Sequence, residues 1–417
     1  MGYGHQRTAD NLRHLAFGGT VINANNYPGI PESDRRVWEG LKRFYESVSA
    51  FKRIPLLGNL AFSLFDVFQK VPPFYPRRDL SSPSLSLRQN YFFFKRNWGK
   101  DLIERLSKNP LPLISTFFTP AFMAEFFGYP GEIFCVVCDT DIARTWVPLE
   151  SGKSKIKYFA PTERVVERLR LYGVKPGNIF LTGYPLPKEN TGSEKLEILK
   201  EDLKHRLLNL DPQRKFFKKY QSLIEEHLGS LPLKANHPLT LLFAIGGAGA
   251  QKEIAVRVLQ SLAKNIKRGE IKLVLVAGIR KNIRDYFQEE IGRLKLGREL
   301  GRNIQILFSP TMNGYFQEFN LTLRQTDILW TKPSELSFYA ALGIPLVIAP
   351  TVGSHEEFNK RWLLKSDFGV SQKNPGFTKE WFFDLINQGY LAEKAFEGFV
   401  EGEKLGVYNI QKLVFHG

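Results

Sequence analysis

The chain is short of sulfur and of acid. Its 417 residues include two cysteines, three methionines and seven histidines, and 42 acidic side chains face 58 basic ones. Two cysteines exclude a disulfide-stapled scaffold and a cysteine-rich metal cluster. They form Cys135-Val136-Val137-Cys138, inside an apolar run from Ile133 to Cys138 that reads as a buried strand. At that spacing their side chains leave opposite faces of a strand, so ordinary core cysteines in a reduced, cytoplasmic chain are expected. No run of about 18 uncharged apolar residues occurs, which excludes a spanning helix. There is no internal repeat and no low-complexity tract, which excludes a solenoid. The shortage of acid leaves a net charge of +16. Such a balance fits an anionic partner: nucleic acid, acidic headgroups or a phosphorylated substrate. It equally fits a basic but unremarkable surface.

What is present is globular and long. Hydrophobic residues make up 43% and aromatics 13%, and a chain of this length exceeds one ordinary core, so two domains are expected. A glycine loop, Ile245-Gly246-Gly247-Ala248-Gly249-Ala250-Gln251-Lys252, sits near the middle. An apolar run from Leu239 leads into it, and Ile254, Val258, Leu262 and Ile266 follow at helical spacing. A strand, a glycine turn and a helix present bare N–H groups to a phosphate. Glycine also allows positive φ and a close approach to the main chain. A second glycine turn, Gly2-Tyr3-Gly4-His5, opens the chain.

The second half alternates short apolar runs with helical segments: Leu239–Ile245, Ile271–Ala277, Ile304–Phe308, Asp327–Trp330 and Ile344–Ala349. Strands alternating with helices predict a parallel, doubly wound sheet. In the first half Thr20–Ala24, Leu111–Phe118, Glu132–Cys138, Lys155–Phe159 and Ile179–Leu181 read as strands. The expected domains are 1–192, with an insert at about 36–108; a charged helical connector, 193–235; a second domain, 236–395; and a tail, 396–417, packing back on the first.

Four groups of residues can carry chemistry. His5 stands in the opening glycine turn, where a neutral imidazole can take a proton from a hydroxyl; a surface histidine is the plainer reading. Thr331-Lys332-Pro333-Ser334-Glu335 follows a predicted strand, where parallel sheets collect ligands; Ser334 and Glu335 also suit a helix cap. Asp139-Thr140-Asp141 imitates a metal-binding acid pair, but two acids in three residues are a weak signal, and no metal site is expected. Tyr91, Phe92, Phe93, Phe94, Lys95, Arg96 and Trp98 mix rings with cations, as in a bilayer-interface segment on anionic lipid. The alternative there is an amphipathic element packed on the core.

The ordered set of motifs resembles the GT-B glycosyltransferases, in the group holding the monogalactosyldiacylglycerol synthases and the peptidoglycan N-acetylglucosaminyltransferase. The resemblance rests on Gly2-Tyr3-Gly4-His5-Gln6-Arg7-Thr8-Ala9, Phe134-Cys135-Val136-Val137-Cys138-Asp139, Tyr158–Val165, Leu181–Pro187, Thr331-Lys332, Gly343-Ile344-Pro345 and Glu356–Asn359. It implies two facing Rossmann-like α/β domains and transfer of a sugar from a nucleotide-diphosphate donor, UDP-linked, to a hydroxyl acceptor, a lipid or lipid-linked molecule. It implies no cofactor, no metal ion and no nucleic acid; the two cysteines and the ring-and-cation segment add the expectation of a cytoplasmic enzyme peripheral on an anionic membrane. A nucleotide-sugar 2-epimerase or hydrolase on the same fold, or a non-catalytic binding relative, are the alternatives. By the resemblance His5 is the acceptor-side base, with Asp139 as a further catalytic candidate and Gly2 and Gly4 on the acceptor side. Gly246, Gly247 and Gly249 cradle the diphosphate, and Lys332, Ser334, Glu335, His355, Glu356 and Asn359 line the donor site. The chain departs from the pattern at Phe338, where the group carries its ribose-binding glutamate, and at His355, where it carries glutamine. In such a domain the first glycine turn follows a central strand. Only Met1 precedes Gly2, so the first domain is expected to lack that strand here.

Overall fold

The computed structural model describes residues 3–51, 71–244, 251–351 and 354–415. The chain forms two compact units, each built on a parallel sheet with flanking helices. The first holds Met1–Pro185, Val352–Asn359 and Leu405–Gly417, and the second holds Leu186–Thr351 and Lys360–Lys404.

Among the described residues the first unit has four strands: β1 (Leu113–Ser115), β2 (Ile133–Val136), β3 (Lys157–Ala160) and β4 (Ile179–Leu181). They lie in sequence order, all parallel, with Ser115 opposite Cys135 and Cys135 opposite Tyr158. Every residue of β2 is buried, as expected of a strand covered on both faces. Leu12, Phe134, Val136, Phe159, Val407, Ile410 and Val414 form one core cluster, so the helix Gly406–Phe415 packs on β2 and β3. The opening helix, Tyr3–Asn11, is tied down by polar bonds: Thr8 Oγ1 lies 2.9 Å from the Tyr184 hydroxyl, and Asn11 Nδ2 donates to Pro185 O at 2.8 Å. The predicted strand Thr20–Ala24 does not form. Gly18 and Gly19 take left-handed conformations there, and Val21 and Ile22 are exposed. An apolar run that finds no neighbouring strand has nothing to pair its backbone with.

Among the described residues the second unit has six strands: β5 (Thr240–Ala244), β6 (Lys272–Gly278), β7 (Ile304–Phe308), β8 (Ile328–Thr331), β9 (Leu346–Ile348) and β10 (Gly369–Ser371). Their order is β10-β9-β8-β5-β6-β7, all parallel. From β5 the chain winds outward through β6 and β7, then returns to β8 on the other side. That is the doubly wound order, and its direction reverses between β5 and β8. The periodic apolar residues after β5 lie on the helix Lys252–Lys267, whose Ala255, Val258, Leu259, Leu262 and Ile266 are buried. The charged stretch beyond residue 193 folds as two helices, Glu197–Leu210 and Lys215–Leu228. Arg206, wholly buried, fastens the first by donating to the carbonyls of Thr326, Leu342 and Leu323 at 2.7, 2.9 and 3.4 Å.

The helix Tyr390–Glu401 approaches the segment Glu335–Leu342 closely because residue 398 has no side chain. A Cβ built on Gly398 would overlap the carbonyl of Ala340. Gly398→Ala should therefore lower stability by about 1–3 kcal/mol through overpacking, read from the denaturant midpoint at unchanged slope.

Candidate functional site

His5 lies on the first turn of the helix Tyr3–Asn11, beside the end of β1. Its Nδ1 is 2.8 Å from the carbonyl oxygen of Thr116, and the hydroxyl of Thr116 donates back to the carbonyl of His5 at 2.8 Å. The two residues thus hold one another through side chain and main chain. Cys138, two residues past β2, puts its Sγ 3.0 Å from the same Nδ1. The ring of Phe117 is centred 4.7 Å from the imidazole and that of Trp146 6.0 Å. A carbonyl can only accept, so the bond to Thr116 requires the proton on Nδ1. The neutral ring then carries its lone pair on Nε2, the form a general base needs.

The two cysteines differ in role despite their similar burial. Burial pushes the Cys135 thiol well above its ordinary range. Cys138 meets an imidazole instead, a contact between residues 133 apart in sequence.

The acids after β2 also separate. Asp141 is buried and accepts from Arg168 Nε and Nη2 at 2.8 and 3.0 Å, from Arg164 Nε at 2.9 Å and from the Ile142 N–H at 2.9 Å. Both arginines come from the helix Glu163–Leu171. Its carboxylate anchors that helix. Asp139 is half-buried and accepts from Asn359 Nδ2 at 3.3 Å. Asn359 Oδ1 accepts from the Thr140 N–H and hydroxyl at 3.0 and 2.7 Å. The structure therefore brings Asp139 and Asn359, expected on the two sides of the reaction, into one hydrogen-bonded cluster. Asn359 is fully buried and Glu356 nearly so, on the helix Ser354–Lys365.

In the second unit Lys332, Ser334 and Glu335, all half-buried, follow the end of β8 directly. Ser334 Oγ accepts from the Leu336 N–H at 3.4 Å and so caps the short helix Glu335–Leu342. Gln251, in a left-handed conformation, precedes the helix Lys252–Lys267, and its Nε2 donates to Pro350 O at 2.7 Å. Its Oε1 is buried and accepts no hydrogen bond among the described residues. Phe338, at the position of the expected ribose glutamate, is buried with its ring 5.4 Å from Trp362. Gly2, Gly246, Gly247 and Gly249 lie outside the described residues, as does the side chain of His355. Gly4 lies inside the opening helix, where its carbonyl accepts from Thr8 Oγ1.

The ring-and-cation segment folds as the helix Leu85–Phe94 and the turn after it. Phe94 and Trp98 are buried and stack at 5.6 Å, Trp98 meets Trp38 at 4.8 Å, and Tyr91 is half-buried with its ring 5.2 Å from Phe94. Phe93 is half-buried against Trp98, while Phe92, Lys95 and Arg96 are exposed, the guanidinium of Arg96 lying 4.1 Å from the Phe92 ring. The aromatics thus face largely inward and the cations outward. Among the described residues no helix is long and apolar enough to cross a membrane.

Comparison with known proteins adds little to this geometry. A family model described as a domain of unknown function, DUF6938, matches residues 232–303. No curated protein matches in sequence. Among solved structures, the UDP-GlcNAc 2-epimerase of Neisseria meningitidis bound to UDP-GlcNAc is 12% identical, with a TM-score of 0.48 over 86% of this chain and 88% of that one. MurG of Acinetobacter baumannii is 12% identical, with a TM-score of 0.44 over 87% and 89%. A glycosyltransferase of Rickettsia africae is 13% identical, with a TM-score of 0.39 over 81% and 83%. Likeness at these values does not fix an activity.

Removing the Asn359 amide tests the cluster after β2. Asn359→Ala should leave the Thr140 N–H and hydroxyl unpaired and lower stability by about 1–3 kcal/mol for a buried group left without its partner. Urea unfolding measures it, with Asp139→Asn, whose Oδ1 can still accept from Asn359 Nδ2, as the mild comparison.

Proposed function

We propose that the chain is a glycosyltransferase that moves a sugar from a nucleotide-diphosphate sugar to a hydroxyl acceptor. The observation that carries the reading is the reversal of strand order between β5 and β8, because doubly wound sheets bind nucleotides at the carboxyl ends of the strands flanking that point. Lys332 and Ser334 follow the end of β8, and the helix Lys252–Lys267 starts beyond β5. A helix N-terminus favours a diphosphate through its unpaired N–H groups. The buried Gln251 Oε1 offers an acceptor to a ligand hydroxyl or N–H.

The acceptor hydroxyl gives its proton to His5 Nε2 as its oxygen bonds to the anomeric carbon. The bond from that carbon to the diphosphate oxygen breaks, and the nucleotide diphosphate leaves with the electron pair. Backbone and lysine donors at the second unit's sheet stabilise the leaving charge, so the scheme needs no metal ion. A UDP-linked donor and a lipid or lipid-linked acceptor follow from the motif resemblance and are part of this proposal. Peripheral attachment to an anionic membrane belongs to it too, with the exposed Lys95 and Arg96 as the contacts.

Calorimetric titration with nucleotide diphosphates, paired with NMR of the donor's sugar signals, tests the reading. Binding of UDP and loss of the donor only when a hydroxyl acceptor is present are the expected results. Donor turnover without any acceptor would replace transfer by epimerisation or hydrolysis, and absence of nucleotide binding would overturn the reading. His5→Ala should cut turnover by about 10²–10⁴ with donor affinity unchanged.

A further inference from the structure

Thr116 O and Cys138 Sγ both lie against Nδ1 of His5, and their demands conflict unless their protons are arranged in one way. Thr116 O, 2.8 Å away, requires an N–H. The Cys138 thiol, at 3.0 Å, can meet Nδ1 either as a donor or with a sulfur lone pair. If the thiol donated to Nδ1, the ring would carry its proton on Nε2 and the carbonyl of Thr116 would lose its imidazole donor. The sulfur is also 3.8 Å from that same carbonyl, within range for its S–H. One assignment then satisfies all three groups. Nδ1–H points at Thr116 O with the sulfur lone pair beside it, and S–H turns to the second lone pair of the carbonyl.

We propose that Cys138 is a positioning residue that keeps His5 in the Nδ1–H tautomer and so keeps the lone pair on Nε2. The inference rests on His5 being the base of the proposed transfer. A thiol in this place has a chemical consequence. A carboxylate at Nδ1 would hold the imidazolium by charge once Nε2 is protonated, whereas sulfur and carbonyl are neutral acceptors that orient the ring and release the proton readily. Sulfur and ring are packed together, with Cys138 buried and Phe117 and Trp146 around the imidazole. No other cysteine shares the job: Cys135 is opposite Tyr158 on the neighbouring strand.

The test reads the tautomer directly, with no substrate. Nitrogen-15 NMR of the full chain labelled at histidine, at a pH where imidazole is neutral, distinguishes a protonated from a bare ring nitrogen. His5→Gln assigns the signals among the seven histidines. In the wild type, Nε2 of His5 is expected bare and Nδ1 protonated. Cys138→Ala should reduce the ratio of the Nδ1–H to the Nε2–H form by about fivefold, the worth of one weak hydrogen bond. Cys138→Ser, whose hydroxyl can take the same two contacts, should preserve the ratio and shows whether the site still folds. A wild-type ring protonated on Nε2, or an Ala variant with the wild-type ratio, would overturn the proposal. Because the readout needs no turnover, it stands apart from the sugar-transfer reading. With a correct tautomer and no transferase activity, that reading would fail while Cys138 kept its role toward the ring.

Discussion

Neighbouring parallel strands are joined only by a crossover of a dozen or more residues, which sends the chain over the face of the sheet and back to the same edge. Every strand pair among the described residues is parallel and obeys it. Every strand of a unit therefore ends on one side, and the loops that leave those ends collect there. In the second unit that side holds Lys332, Ser334 and Gln251. In the first it holds Thr116, after β1, and Cys138, Asp139 and Thr140, after β2. The polar residues gather because the strands themselves are apolar on both faces and have no place for them.

Around His5 the fold uses main chain where a charged partner could have served. The carbonyl of Thr116 and the sulfur of Cys138 orient the ring without adding charge. The nearby acid, Asp141, is occupied by two guanidinium groups, and its carboxylate is spent on holding the helix Glu163–Leu171. Buried ion pairs of this kind cost desolvation and become expensive when one partner is lost. The division separates a rigid anchor, Asp141 in the segment after β2, from an imidazole on the opening helix held by uncharged groups.

Much of the framework was legible because it depends on local pattern. β4 falls on Ile179–Leu181 and β7 on Ile304–Phe308, as their apolar runs predict. Of the residues spaced four apart after the glycine loop, Val258, Leu262 and Ile266 lie on the buried face of Lys252–Lys267. Thr20–Ala24 misled because β-branched composition says nothing about whether a partner strand is near. β10 was invisible, since Gly369-Val370-Ser371 is too short and too glycine-rich to read as a strand. The site was less legible. His5 is a candidate by its glycine context alone, and nothing in Cys-Val-Val-Cys shows that Cys138 lies against an imidazole 133 residues earlier. The link between Asn359 and Thr140 was equally hidden, because both are set by how distant elements pack. Phe94 and Trp98, both buried, show how rings interleaved with cations also describe a helix whose apolar side faces a core.

The central claim is that a nucleotide diphosphate binds at the carboxyl ends of β5 and β8. Hydrogen–deuterium exchange, compared with and without saturating UDP, addresses it most directly, since amides that take a phosphate or are covered by a base exchange more slowly. The account predicts slower exchange at the start of the helix Lys252–Lys267 and across Thr331–Leu336, with little change at the amino ends of the same strands. Unchanged exchange in both segments while UDP is bound, or protection confined to the opposite end of the sheet, would contradict it.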